Sequence, residues 1–190
     1  MAPAPSIFVD PSLGELDLRM RRSARADAAV RLVNADFLIA QHERGEVLLR
    51  RQDMPAHAFY DGPIGTGSGV TFIAVSYAWL SKDHSDPDGF HLATLAPLLA
   101  AFQKRYRKAV VFIDFCSLFQ RERDDLQAEL FQIGLGALTL IYGHQHTTVW
   151  CLSRTPPGIE RGYGDRGWWC ACGARATELA SRLQQRRARC

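Results

Sequence analysis

The sequence predicts an α/β domain built on a parallel sheet with flanking helices, and three observations predict it. Val70–Tyr77, Ala109–Phe115 and Thr147–Leu152 are short, nearly continuous apolar runs, the composition of strands buried on both faces. Between them, residues 90–106 and 124–142 carry apolar side chains at helical spacing. Strand alternating with helix implies parallel strands joined by right-handed crossovers.

Residues 1–24 are rich in Pro and Arg with little periodicity and read as a loose N-terminal arm. From Arg25 to about Arg44, the residues Ala29, Leu32, Val33, Phe37 and Ala40 recur at helical spacing, and Gly45 supplies a helix stop. Glu46–Arg50 reads as a short strand, and residues 52–59 as an irregular connector holding Pro55. The glycine-rich stretch 61–69 reads as a flexible joint. Residues 25–69 thus form a helix, a short strand and a linker, and the α/β domain is expected over 70–187. Its first helix carries Leu92, Leu95, Leu98, Leu99 and Phe102 on one stripe, its second Leu126, Leu130, Ile133, Leu138 and Ile141. A loop rich in Pro and Gly, 153–167, leads to a divergent last helix at about 174–187.

A chain of 190 residues buries a full core without disulfides or metal. Its net charge of +3 argues neither for nor against a nucleic-acid partner, since a dedicated binder shows a concentrated basic face, and none is predicted. Five cysteines, an odd count without regular spacing, do not form a disulfide framework. Cys116 and Cys151 lie in apolar runs, where a reduced cysteine acts as a small core residue. The opening residues lack the charged-then-apolar order of a secretory signal. No apolar run reaches the roughly 18 residues of a membrane span. A cytoplasmic protein without a membrane partner is expected.

In a parallel sheet, ligands bind outside the carboxyl ends of the strands. Chemistry is therefore expected at residues 76–84, 114–123 and 153–168. Ser76 and Tyr77 are candidates to line a pocket, or else to bond neighbouring backbone. Asp114 suits a ribose or a metal, or the capping of the turn that follows. Trp79 and Trp168 suit stacking on a base, or the core. Arg166 suits a phosphate clamp, or pairing with Asp165 or Asp114. A nucleophilic Cys116 requires an oriented histidine, which the sequence does not place. No metal site is expected: the one-residue gaps of His144-Gln-His146 and Cys170-Ala-Cys172 are unlike zinc modules. Asp83, His84, Asp86 and Asp88 lack the register of a calcium loop. No phosphate-cradling Gly-x-x-x-x-Gly-Lys run occurs.

Three blocks stand at the strand ends: Val75–Leu80 (Val-Ser-Tyr-Ala-Trp-Leu), Phe112–Gln120 (Phe-Ile-Asp-Phe-Cys-Ser-Leu-Phe-Gln) and Tyr163–Trp168 (Tyr-Gly-Asp-Arg-Gly-Trp). With them the chain, over about residues 45–172, resembles heterokaryon-incompatibility domains. It also resembles a group of algal and dinoflagellate proteins with a late Tyr-x-Asp-Arg-Gly-Trp block, whose upstream part residues 46–59 fit. Both groups are similar to Toll/interleukin-1 receptor domains. The resemblance implies a Toll-interleukin-1 receptor-like (flavodoxin-like) three-layer sandwich. It also implies nucleotide-binding roles for Ser76, Tyr77, Trp79, Asp114, Cys116, Arg166 and Trp168.

Catalytic members of that class cleave the nicotinamide–ribose bond of NAD with a glutamate four residues after a tryptophan. With Trp168 as the tryptophan, the glutamate position is Cys172, and residues 166–172 hold no carboxylate after Arg166. The reaction needs a carboxylate to hold the ribose hydroxyls and oppose the developing positive charge. A neutral thiol does neither. Glu178 lies six residues on, about 600° around a helix, and is only a weak substitute. The resemblance therefore implies a non-catalytic member that holds no cofactor and acts through protein partners or self-association in signalling or defence. NAD then stands as a substrate or ligand and not as a cofactor. The alternative is an NAD(P) glycohydrolase, or another nucleotide hydrolase, that uses a different carboxylate.

Overall fold

The computed structural model describes residues 28–64, 68–144, 146–159 and 163. Arg166, Trp168, Cys172 and Glu178, the N-terminal arm 1–24 and the helix expected at 174–187 lie outside the described residues. The elements in chain order are β1 (Leu32–Asn34), α1 (Ala35–Glu43), β2 (Phe59–Tyr60), β3 (Val70–Tyr77), α2 (Phe90–Arg105), β4 (Lys108–Phe112), α3 (Asp114–Ser117), α4 (Asp125–Gly143) and β5 (Thr147–Leu152).

The three apolar runs form the parallel heart of a five-stranded sheet ordered β2-β1-β4-β3-β5. β3 pairs in parallel with β4 from Val70↔Lys108 to Ala74↔Phe112. On its other side it pairs in parallel with β5 from Phe72↔Thr147 to Tyr77↔Leu152. Strand periodicity then sorts the side chains to two faces. Ile73, Val75 and Val111 pack with Leu92, Leu95 and Leu99 of α2 and Leu38 of α1. Phe72, Ala74, Val110 and Phe112 pack with Ala137, Leu138 and Ile141 of α4. The result is a three-layer α/β sandwich with a core on each side of the sheet.

Several local expectations are corrected. The helix anticipated over 25–44 is a strand up to Asn34 and a helix only from Ala35. β1 runs antiparallel to both β4 (Val33↔Val111) and β2 (Val33↔Phe59). The sheet therefore draws on residues ahead of the glycine-rich joint, not only on those after Val70. The strand anticipated over Glu46–Arg50 is irregular backbone folded against the end of α1. Its hydrogen bonds go there instead of to a neighbouring strand: the Gln41 side-chain amide donates to the Val47 carbonyl at 2.8 Å, and the Glu46 amide donates to the Gln41 carbonyl at 3.1 Å. Residues Arg51–Asp53 and Ala56–Ala58 in the connector are single 3-10 turns. β4 stops at Phe112, because the amides of Cys116 and Ser117 turn back to the Ile113 carbonyl at 2.9 and 2.7 Å and open α3. Cys116 is buried as expected, whereas Cys151 is exposed.

Other ends match their residues. Gly45, at φ 69°, ends α1 in a left-handed conformation that favours glycine. The Asp124 carboxylate accepts from the Gln127 amide and caps α4.

Candidate functional site

β3 leads to α2 on one face of the sheet, whereas β4 leads to α4 on the other. Neighbouring strands whose loops diverge in this way open a crevice at their carboxyl ends. A cleft of about 880 Å³ lies there, a volume within the range of small-molecule sites. Its walls are the loop after β3, the segment after β4, and Phe131, Leu135 and Leu138 on the flank of α4.

Asp114 organises one wall. Its Oδ1 accepts from the Tyr77 hydroxyl at 2.8 Å and from the Phe115 amide at 2.7 Å. Its Oδ2 accepts from the Trp79 indole N–H at 2.9 Å. The end of β3 is thereby tied to the start of α3. Burial pushes the Asp114 carboxyl above its ordinary value, against the three hydrogen bonds that favour its charge. Burial, reinforced by Asp114 and Cys116, pushes the Tyr77 phenol well up, so it stays a neutral donor. Trp79 stands edge-on to Phe115, with ring centroids 5.5 Å apart. Asp114 thereby positions the Trp79 indole on the cleft wall that it lines.

The segment behind Asp114 is fixed by amides. Gln120 Nε2 donates to the Asp114 carbonyl at 3.0 Å and to the Leu118 carbonyl at 2.8 Å. Gln52 grips the Gln120 backbone at both its N–H and its carbonyl, each at 3.1 Å.

The opposite wall is the loop after β3, which is closed on itself by Leu80 N–H to the Ser85 carbonyl at 3.0 Å and Ser81 N–H to the His84 carbonyl at 3.2 Å. His84 Nδ1 accepts from the Asp86 amide at 3.0 Å. Its Nε2 must then carry the proton, donated to the Leu48 carbonyl at 3.0 Å. The buried Asp86 carboxylate accepts from the amides of His91 and Leu92, both at 2.9 Å. It serves the first turn of α2 because the cap position is Gly89, which has no side chain to offer. This acidic loop is a helix cap.

The sequence candidates therefore separate. Tyr77, Trp79 and Asp114 come together on the cleft. Ser76 alternates to the other face of β3 and is not among the lining residues; its Oγ lies 2.6 Å from the Tyr163 hydroxyl, so the first and third blocks touch there. Cys116 is fully buried and does not line the cleft. Its thiol is pushed well up by burial, with Asp114 and Asp86 adding to the effect, and so keeps its proton. Arg166, Trp168, Cys172 and Glu178 lie outside the described residues.

Four cations on the cleft were not singled out in the sequence: Arg50, and, inside the strand-end stretches 76–84 and 114–123, Lys82, Arg121 and Arg123. They come from three separate segments, and only the fold unites them. Arg50 is matched by Asp53, with N–O distances of 2.6 and 3.2 Å, and also donates to the Arg121 carbonyl at 3.1 Å. Arg123 donates from Nε to the Phe119 carbonyl at 2.7 Å and lies 3.5 Å over the Phe131 ring. Partial burial, and then the charge of Arg121, lower its pKa.

The fold and cleft define a three-layer α/β domain with a small-molecule crevice at the carboxyl edge of its sheet. No family model, curated protein or solved structure matches the chain.

Proposed function

We propose that this chain is a non-catalytic, cytoplasmic member of the Toll/interleukin-1 receptor and heterokaryon-incompatibility-like group, acting through protein association with the cleft as its ligand site. The observation that carries the reading is the engagement of Asp114. It is a partly buried carboxylate lining the cleft wall, and Tyr77, Trp79 and Phe115 donate to its two oxygens. Oriented by three donors, it holds the wall together in place of turning to a ribose. The sequence supports the same reading, since Cys172 stands where the resembling families keep a glutamate. The three parallel strands with helices on both faces support the reading, while β1 and β2 depart from the parallel sheet expected of that group. No helix among the described residues is long and apolar enough to cross a membrane.

A nucleotide hydrolase is the second reading, and Asp83 and Glu122 on the cleft rim are the exposed carboxylates it would draw on. Nicotinamide release from NAD and NADP separates the two, measured with the protein concentrated enough to associate and its mass followed by light scattering. The expected result is an associated species with no turnover, and slow turnover on Cys172→Glu. One well-placed electrostatic partner is worth about 10²–10³ in rate. Robust release by the unaltered chain would overturn the reading. Its loss in Glu178→Ala would then assign the chemistry to Glu178, and its loss in Asp83→Asn or Glu122→Gln to the rim.

A further inference from the structure

Three large apolar side chains are exposed among the described residues: Leu98 at 48%, Tyr106 at 64% and Leu126 at 57%. Two of them line one groove. Leu98, Ala101, Phe102 and Arg105 of α2, Tyr106 after it and Trp150 of β5 enclose a recess of about 320 Å³. Its half-buried members Phe102 and Trp150 meet edge-on, with ring centroids 5.7 Å apart. A run of cations stands beside it. Lys104, Arg105, Arg107 and Lys108 are exposed, and none forms an ion pair among the described residues. α2 contains no acid. The acid that meets this end of α2 is Asp36, which accepts from Gln103 Nε2 at 2.6 Å, so the balance is four cations against one acid.

The third side chain, Leu126, stands in the first turn of α4 beside Asp125, with Glu129 one turn on. α4 contains no Lys or Arg. Over residues 121–129 the acids Glu122, Asp124, Asp125 and Glu129 outnumber Arg121 and Arg123. Arg123 is turned away onto the Phe119 carbonyl and the Phe131 ring, and Arg50 across the cleft is matched by Asp53. One surface is thus an apolar recess among cations, the other an apolar projection among acids. They lie on opposite faces of the sheet, because α2 and α4 do. They also lie at opposite ends, since α2 stops just before β4 begins and α4 starts beyond its carboxyl end. The two surfaces cannot meet within one molecule.

We infer that the start of α4 in one copy docks on the groove between α2 and β5 of a second copy. Leu126 enters the recess, and Asp125 and Glu129 face Lys104, Arg105 and Arg107. This names the partner and the surfaces of the association reading above, and rests on that reading for association being what the chain does. An apolar projection gains from burial in proportion to its area, and the opposed charges select this pairing and its register. A bare polyanion would meet the cations and leave the recess unfilled. The contact is head-to-tail, so every copy keeps one surface of each kind, and copies add into a ring or an open chain.

The test is sedimentation equilibrium of the full chain with two variants. One alters the groove, Leu98→Gln/Tyr106→Ser; the other alters the acidic surface, Leu126→Gln/Glu129→Gln. All four side chains are exposed, so both variants should fold, with urea midpoints equal to that of the original. The original chain should associate beyond the dimer as concentration rises. That association should weaken several-fold at high ionic strength, because exposed charges are screened. Each variant alone should associate at least about tenfold more weakly, as loss of an apolar anchor implies. Mixed, the two should form a one-to-one dimer and nothing larger, since each supplies the surface the other lacks. A monomeric original chain, association unchanged in either variant, or no dimer in the mixture would overturn the inference. Association that both variants keep would do so while leaving the association reading in place. Nicotinamide release from NAD would sink the non-catalytic reading and leave the mixing result standing.

Discussion

Replacing Asp114 by asparagine keeps the shape of the wall and removes one acceptor. Oδ1 and Oδ2 together receive three donors, from Tyr77, Phe115 and Trp79. An amide nitrogen in place of either oxygen meets a donor head-on. An unsatisfied buried group costs about 1–3 kcal/mol, so Asp114→Asn should lower stability by about 2 kcal/mol in urea titration. Burial raises the Asp114 pKa in the folded state, and the three donors oppose that rise. At this scale the sequence was half legible. Tyr77, Trp79 and Asp114 announced themselves because strand ends concentrate ligand-facing residues. Their inward engagement did not, because hydrogen-bond direction is set by burial. The rim cations were legible only as stretches: Lys82 and Arg121 fall at strand ends where chemistry is expected, whereas Arg50 lies far from both in the chain.

Between elements, one buried cation acts as a clasp. Arg51 Nη1 donates to the carbonyls of Ala29 at 2.8 Å and Ser117 at 3.0 Å, and Nη2 donates to that of Ala28. Its guanidinium also lies 3.8 Å over the Phe119 ring. Burial lowers its pKa to about 9, which keeps the charge at neutral pH. The clasp joins the 3-10 turn at Arg51–Asp53, the residues entering β1, and the end of α3. Arg51→Met fills similar space but leaves three carbonyls without this donor, a loss of about 3 kcal/mol or more. Arg51→Lys should recover only part, because an ammonium lacks the planar fork. Equal urea midpoints for Arg51→Lys and the original chain would contradict the fork geometry. The element that misled the sequence reading adjoins this clasp. Leu32 and Val33 fit a helical stripe, yet they also fit a strand. Pairing of Val33 with Val111 and Phe59 decided between them, a tertiary choice that local periodicity does not encode.

For the molecule as a whole, the glycine-rich stretch 61–69 looks like a boundary and the packing crosses it. Val33, Leu38, Leu48, Ala58 and Phe59 belong to the core on the α2 side of the sheet, and Val30 and Leu32 to the core on the α4 side. β1 also covers the edge of β4, so its removal would bare the backbone of Val110 and Val111. Burying one large aliphatic side chain is worth roughly 1.5–3 kcal/mol, and a domain's net stability is only about 5–15 kcal/mol. Losing several such residues together exceeds that margin. A chain starting at Ser68 should therefore show no cooperative urea transition by circular dichroism, and its newly opened strand edge should promote aggregation. A cooperative transition with the midpoint of the full chain would mean that residues 70–152 hold their own core and that β1, α1 and β2 merely decorate it.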